Sequence, residues 1–179
     1  MEHLLLHVCC GPDLTYAYEY FSKEYSVTGY FANDNIDTEE EYEKRFYQAK
    51  IVADHYKFMI IKKIYEPEKF LVASKNLENE REMGRRCEEC HRMNFRSAVE
   101  KAKEINAGLV STTLTISPHK NAEMINRIGC EEASKKSVRF VEENLKKHEG
   151  FKKATEISKR FNLYRQNWCG CKFSRGTIG

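Results

Sequence analysis

The sequence predicts a single α/β domain, residues 1–179, built on a doubly wound and mostly parallel sheet. Three observations carry that expectation. Segments of strand character alternate with segments of helical spacing, joined by short connections, which is the pattern of a parallel sheet covered on both faces. The first such segment, "HLLLHVCC" (3–10), is apolar at successive positions and so reads as a central strand buried on both sides. The length of 179 residues suits one domain with a substantial core.

The elements follow in order. "DLTYAYEYFSKEY" places aromatics at helical spacing, with Asp13 as a possible cap after Gly-Pro. "SVTGYFAN" is a second strand. "DTEEEYEKRFYQAKIVADHYK" is a long amphipathic helix whose first turn is acidic, as the helix dipole prefers. "KFMIIKKIY" is a third strand, and "EPEKFLVASKNL" starts a helix with an early proline. A polar loop over 78–86 leads into the helix "CEECHRMNFRSAVEKAKEIN", with Gly108 just past its end. "LVSTTLTIS" is a fourth strand, and "HKNAEMINRIGCEEASKKS" a helix broken near Gly129. "VRFVEENL" is a candidate fifth strand. The last helix runs from about Phe151 to Asn162, and "LYRQNWCGCKFS" is loop.

Composition narrows the function. Hydrophobic residues make up 41%, which marks a globular chain. No apolar stretch reaches the roughly 20 residues needed to span a bilayer, so no membrane partner is expected. The start "MEHLLLHVCC" lacks the basic flank of a signal peptide, and a cytoplasmic location is expected. Charge is uneven. Residues 1–80 carry 9 Lys/Arg against 15 Asp/Glu, a net of −6, and 81–179 carry 21 against 12, a net of +9. A basic half with "KK" at 135–136, "KKH" at 146–148 and "KK" at 152–153 fits contact with phosphates, though solvated helix faces would look the same.

Seven cysteines need a reason. An odd count without a secretion signal argues against a disulfide framework. Six fall in tight pairs, Cys9–Cys10, Cys87–Cys90 and Cys169–Cys171, and close pairs of soft ligands mark metal binding. Cys130 stands apart and reads as a small buried residue. Cys87 and Cys90 share a helix face. Cys169 and Cys171 flank Gly170, whose freedom lets the backbone bend around an ion. Adjacent residues in an extended segment point to opposite sides, so Cys9 and Cys10 are expected to serve different metal sites. Asp13 could add an oxygen ligand.

Beyond the carboxyl ends of the expected strands lie further candidates. His7 alternates with Cys9 along the first strand and either moves a proton or hydrogen-bonds in the core. Asn33, Asp34 and Asn35 could read a polar ligand or simply form a turn. Thr112, Thr113 and Ser117 offer hydroxyls, though threonine also favours strands. Tyr164, Arg165 and Gln166 precede the last cysteines, and an aromatic, a guanidinium and an amide suit a nucleobase or phosphate.

Taken together, "HVCCGPD", "YFANDNIDTEEEYEKR", "RCEECHRMNFRSA", "STTLTISPHKN" and "YRQNWCGCKFS" resemble the cobalamin-independent epoxyqueuosine reductases of the QueH type, over nearly the whole chain. One departure is Asp13, where many members carry a third cysteine. The resemblance implies an adenine-nucleotide alpha-hydrolase-like (HUP-like) fold. It also implies reduction of epoxyqueuosine in the tRNA anticodon loop to queuosine, the last step of that synthesis. The SGGxDS phosphate loop of ATP-using relatives is absent, so no ATP use is expected.

On this footing Cys10, Asp13, Cys87 and Cys90 are expected to hold a [4Fe-4S] cluster. Cys9, Cys169 and Cys171 would hold a second mononuclear metal, iron or, as isolated, zinc. Cys9 and Cys10 are interchangeable in this scheme. His7, Asp34 and Tyr164 are the candidate proton donors, and Asn33, Asn35, Thr112, Thr113, Ser117, Arg165 and Gln166 the candidate substrate contacts. Electrons would come from an external donor, since no flavin or nicotinamide motif is present. Two rivals remain: a zinc-stabilised RNA-binding module without catalysis, and a tRNA sulfur-transfer enzyme on the same fold. The oligomeric state is open.

Overall fold

A computed structural model describes residues 1–174. Five strands, all parallel, form one sheet: β1 (Glu2–Val8), β2 (Tyr25–Phe31), β3 (Ile60–Lys62), β4 (Leu109–Thr112) and β5 (Arg139–Phe140). Six α-helices connect or follow them: α1 (Gly11–Phe21), α2 (Glu39–Tyr56), α3 (Pro67–Ala73), α4 (Arg85–Glu104), α5 (Ala122–Ser134) and α6 (Gly150–Arg160). The strand order is β3-β2-β1-β4-β5. The chain thus builds outward from β1 to one edge, then returns to build β4 and β5 on the other side. Ligands in such sheets bind beyond the strand ends at the point of reversal, here between β1 and β4.

The expected central strand is β1. Leu4, Leu5, Leu6, His7 and Val8 are all fully buried. Its side chains alternate between two cores. Leu4, Leu6 and Val8 pack with Leu14, Phe31, Tyr42 and Ile157 on the side of α1, α2 and α6. Leu5 packs with Val99, Val110 and Phe140 on the side of α4 and α5. Helices cover both faces, as the apolar run required.

Several boundaries differ from the sequence reading. The first strand stops at Val8, so Cys9 and Cys10 lie beyond the ladder. Helix α1 starts at Gly11 with Cys10 in the capping position, so Asp13 lies inside the first turn and is not the cap. The expected strand 109–117 is a strand only to Thr112, then tightens into a 3-10 turn at Leu114–Ile116. Helix α5 runs unbroken through Gly129, because the glycine serves packing there. A Cβ at Gly129 would meet the Phe140 ring at 2.4 Å. The third strand keeps only Ile60–Lys62, and the fifth only Arg139–Phe140. Among the described residues no helix is long and apolar enough to cross a membrane.

Candidate metal centre

The ends of β1, β2 and β4 meet the start of α4 and the loop after α6 around a small cavity of about 100 Å³. Five cysteines line it: Cys9, Cys87, Cys90, Cys169 and Cys171. All seven cysteines are free thiols. A second cavity of about 190 Å³ lies outside it, lined by Cys10, Arg165 and Trp168 among others; Asp13, Ser117 and Gln166 line both.

Each sulfur is held by a different element. Cys9 follows the last residue of β1, and Thr113, just past β4, fastens it twice. The Cys9 N–H donates to Thr113 Oγ1 at 3.1 Å, and that hydroxyl donates to Cys9 Sγ at 3.0 Å. Cys87 and Cys90 stand three apart in the opening turns of α4 and so face the cavity together. The Met83 N–H donates to Cys87 Sγ at 3.3 Å. Asn94, one turn along, bridges Cys90 Sγ at 4.0 Å and Asn35 Oδ1 at 3.0 Å. Cys169 and Cys171 depend on α2. Arg45, buried, gives Nη1 to the Cys169 carbonyl at 3.0 Å and Nη2 to the Trp168 carbonyl at 3.3 Å, while its Nε pairs with Glu41 at 2.6 Å. The Asp37 N–H donates to the Gly170 carbonyl at 2.9 Å. Gly170 itself has φ +113°, a conformation open to glycine, so the bend between the two cysteines does need that residue.

The expectation that Cys9 and Cys10 diverge is overturned. Their Sγ atoms lie 3.8 Å apart, and Cys9 Sγ lies 3.4 Å from Asp13 Oδ2. Ligand atoms of Cys9, Cys10 and Asp13 all fall within 4.8 Å of one another. The physical reason is the strand boundary: alternation holds only inside the ladder, and the chain already bends at Cys9. The two thiols still reach different cavities, Cys9 the inner and Cys10 the outer. It is therefore Cys9, and not Cys10, that shares a cavity with Cys87 and Cys90.

Electrostatics favour thiolates in part of the site. Cys169 is held well below the usual thiol range, first by the hydrogen bond from Cys171 and then by the nearby Lys120 ammonium, against the opposing effect of burial. Lys120 lines the cavity. Burial pushes its pKa down, but Cys169, Cys87 and Cys90 outweigh that and hold it above the ordinary lysine value. Burial raises Cys87 and Cys90. The Cys9 thiol is raised by its hydrogen bond with Cys10, by burial and by the Asp13 charge. Asp13 is raised by burial, with Cys9 and Arg165 pulling the other way.

The three candidate proton donors lie elsewhere. His7 is sealed in the core, bonded to Thr112 Oγ1 at 3.0 Å and to the Ala32 carbonyl at 3.1 Å, edge-on to Phe95. Asp34 is buried in an ion pair with Lys63 at 2.8 Å and accepts the Glu66 N–H, so it fastens the start of α3. Tyr164 donates to Glu41 at 3.3 Å beneath the Lys44 ammonium. None of the three lines either cysteine cavity. Of the substrate candidates, Asn33, Asn35, Ser117 and Gln166 line the inner cavity, and Arg165, Ser117 and Gln166 the outer one. Thr112 serves His7 and the Leu114 N–H, and Thr113 serves Cys9.

Sequence reasoning missed His91, Lys120, Arg86 and Arg45. His91 follows Cys90 directly, and its buried ring lines the inner cavity with no hydrogen-bond partner on either nitrogen among the described residues. Burial lowers it to about 3, so it is neutral. Lys120 closes the "TTLTISPHK" segment, where a charge so near the strand end was the available signal. Arg86 precedes Cys87 and ties the loop before α4 through three carbonyls, those of Leu77, Glu78 and Glu80.

Comparison with known proteins shows the family. The family model described as "Epoxyqueuosine reductase QueH" matches residues 4–177. Curated proteins of that name are similar over most of the chain. The one from Thermotoga maritima is 35% identical, covering 97% of this chain and 91% of its own. The one from Staphylococcus aureus is 34% identical, covering 96% and 75%. The one from Streptococcus pyogenes is 31% identical, covering 96% and 69%. By that match and coverage, the chain belongs to the epoxyqueuosine reductase QueH family.

Proposed function

We propose that this chain reduces epoxyqueuosine in tRNA to queuosine. The observation that supports this most is the convergence of five thiols on one cavity at the point of strand reversal, in a chain of this family. In the reaction the two C–O bonds of the epoxide break and a C=C bond forms. Two electrons enter from an external donor, two protons are taken up, and the oxygen leaves as water.

The residues fit an iron–sulfur cluster and a second metal. The donor set is soft, and hydrogen-bond donors already point at Cys9, Cys87 and Cys90. Cys9, Cys10 and Asp13, whose ligand atoms lie within 4.8 Å of one another, together with Cys87, Cys90, Cys169 and Cys171 would hold these groups. When bound, a [4Fe-4S] cluster supplies electrons singly and a second iron a Lewis acid for oxygen. The chain's own residues do the rest. Lys120 keeps an ammonium against the cysteines and holds a proton at Nζ. Asn33 and Asn35 are fixed by Val8 and Asn94, and present amides to the cavity without reorganising. Phe70 and Leu114 give the cavity an apolar wall. The net +9 of residues 81–179 would draw in the tRNA, which makes binding salt-sensitive.

The test is anaerobic. Protein reconstituted with iron and sulfide, given a strong reductant and epoxyqueuosine-containing tRNA, should yield queuosine on nucleoside analysis. Iron-loaded protein that leaves the epoxide intact would refute the activity. A colourless protein with stoichiometric zinc and unchanged tRNA would instead favour the non-catalytic RNA-binding module.

A further inference from the structure

We infer that the outer cavity is a seat for one purine-like base, whose attached ring passes into the cysteine cavity. The inference rests on the tRNA reading above and says where the substrate is divided.

The two cavities share a wall of Asp13, Ser117 and Gln166. The inner one is lined by sulfur and amide groups together with Arg45, Arg86 and Lys120, and the outer one carries Phe151, Trp168 and Arg165. Phe151 lines the outer cavity from the first turns of α6 and is 42% exposed, a large ring left partly uncovered at its mouth. The Arg165 guanidinium sits over that ring, 5.7 Å from its centre. Trp168 lines the same cavity, its carbonyl fixed by Arg45. Flat aromatic and guanidinium faces are what an unstacked base uses in single-stranded RNA. A volume of about 190 Å³ is below the roughly 300–1,000 Å³ of drug-sized ligand sites, so one ring system fits and a folded peptide or whole nucleotide does not.

A second observation is independent of the stacking faces. Gln166 Oε1 is shielded from solvent and has no hydrogen-bond donor among the described residues. Buried acceptors are normally satisfied, so a missing N–H is implied at this position. Guanine and 7-deazaguanine carry N–H donors on the edge that pairs in a duplex, and adenine carries fewer. The site therefore takes a guanine-type base swung out of its loop, with its face against Phe151 and Arg165 and its donor edge toward Gln166. The group carried on the adjacent, five-membered-ring edge of that base then passes Asp13 and Ser117 into the cysteine cavity.

Trp168 is the chain's one tryptophan, so its fluorescence reports this cavity. The probes are an anticodon stem–loop RNA with guanine at the substrate position, the same RNA abasic at that position, and inorganic phosphate. All are titrated into anaerobically reconstituted protein. Guanine RNA should quench Trp168 and bind about tenfold or more tightly than abasic RNA, from the stacking of one base. Phe151→Ala and Gln166→Leu should each erase most of that difference while leaving iron content and the affinity for abasic RNA unchanged. Equal binding and quenching by abasic RNA, or quenching by phosphate alone, would overturn the base seat in favour of a backbone site. Wild-type turnover with no change of KM in either variant would remove the seat and leave the activity standing. Failure of turnover with the base-dependent quench intact would do the reverse.

Discussion

Thr113→Val tests the side chain that holds Cys9 at both its N–H and its sulfur. Valine keeps the shape of threonine and removes the hydroxyl, which is fully buried and serves Cys9 twice. Two losses follow, and they appear in different measurements. The Cys9 N–H loses its acceptor in the apo protein, and an orphaned buried donor costs about 1–3 kcal/mol. For a chain of this size each kcal/mol lowers Tm by about 2–4 °C. The hydrogen bond to Cys9 Sγ, one of the influences that lower its pKa, matters once the sulfur is a thiolate. A bond to a charged group is worth about 1.5–3 kcal/mol, so iron retention should fall by at least about tenfold beyond the stability loss. Urea denaturation of the apo protein reads the first term, and anaerobic iron loss to a chelator reads the second. Thr113→Ser should restore both. Wild-type stability together with wild-type iron retention in Thr113→Val would refute this account of how Cys9 is placed.

Other perturbations test separate parts of the structure. Gly129→Ala gains about 1 kcal/mol of helix propensity but drives a methyl into the Phe140 ring, a clash of about 1–3 kcal/mol, so Tm should fall; a rise would mean the ring has room to move. Glu132, with a side chain 1% exposed, holds Lys135 at 2.6 Å, Arg92 at 3.1 Å and Arg96 at 3.3 Å. Burial pushes its carboxyl up, but those three cations prevail and lower it from the ordinary 4.5. The unfolded chain therefore binds the extra proton first, so this stabilisation is present above about pH 4.5 and fades below it. Glu132→Gln should cost about 1–3 kcal/mol at pH 7 and flatten the acid side of the stability curve, and an unchanged pH profile would count against the pairing. Lys120→Gln removes a cation beside Cys169, Cys87 and Cys90, so the midpoint potential of the loaded protein should become more negative in an EPR-monitored redox titration. Lys152→Glu with Lys153→Glu should weaken tRNA binding at low salt and leave iron content alone; unchanged binding moves the docking face away from α6.

The fold was legible because its signals are local. The unbroken apolar run 4–6, the acidic first turn of α2 and the alternation of strands and helices each report their own environment through period and composition. The cysteine pairs were legible for the same reason, since spacing along a helix or around a glycine decides which sulfurs face together. The three proton-donor candidates show where this reasoning ends. His7, Asp34 and Tyr164 lie next to site residues in the chain, yet the structure spends them on the core, on an ion pair and on α2. Nothing in sequence distance separates a histidine aimed at a cavity from one sealed behind a strand.

The sequence by itself determined that thiols would gather where the sheet reverses, because parallel strands bring their carboxyl ends to one edge and the motifs follow those ends. Only the tertiary structure decided how the sulfurs divide. Where β1 stops, one residue before Cys9, is set by its pairing with β2 and β4, and past that point strand alternation no longer directs a side chain. Lys120, His91 and Arg45 likewise became site residues through packing between distant segments, a contact that no local pattern encodes.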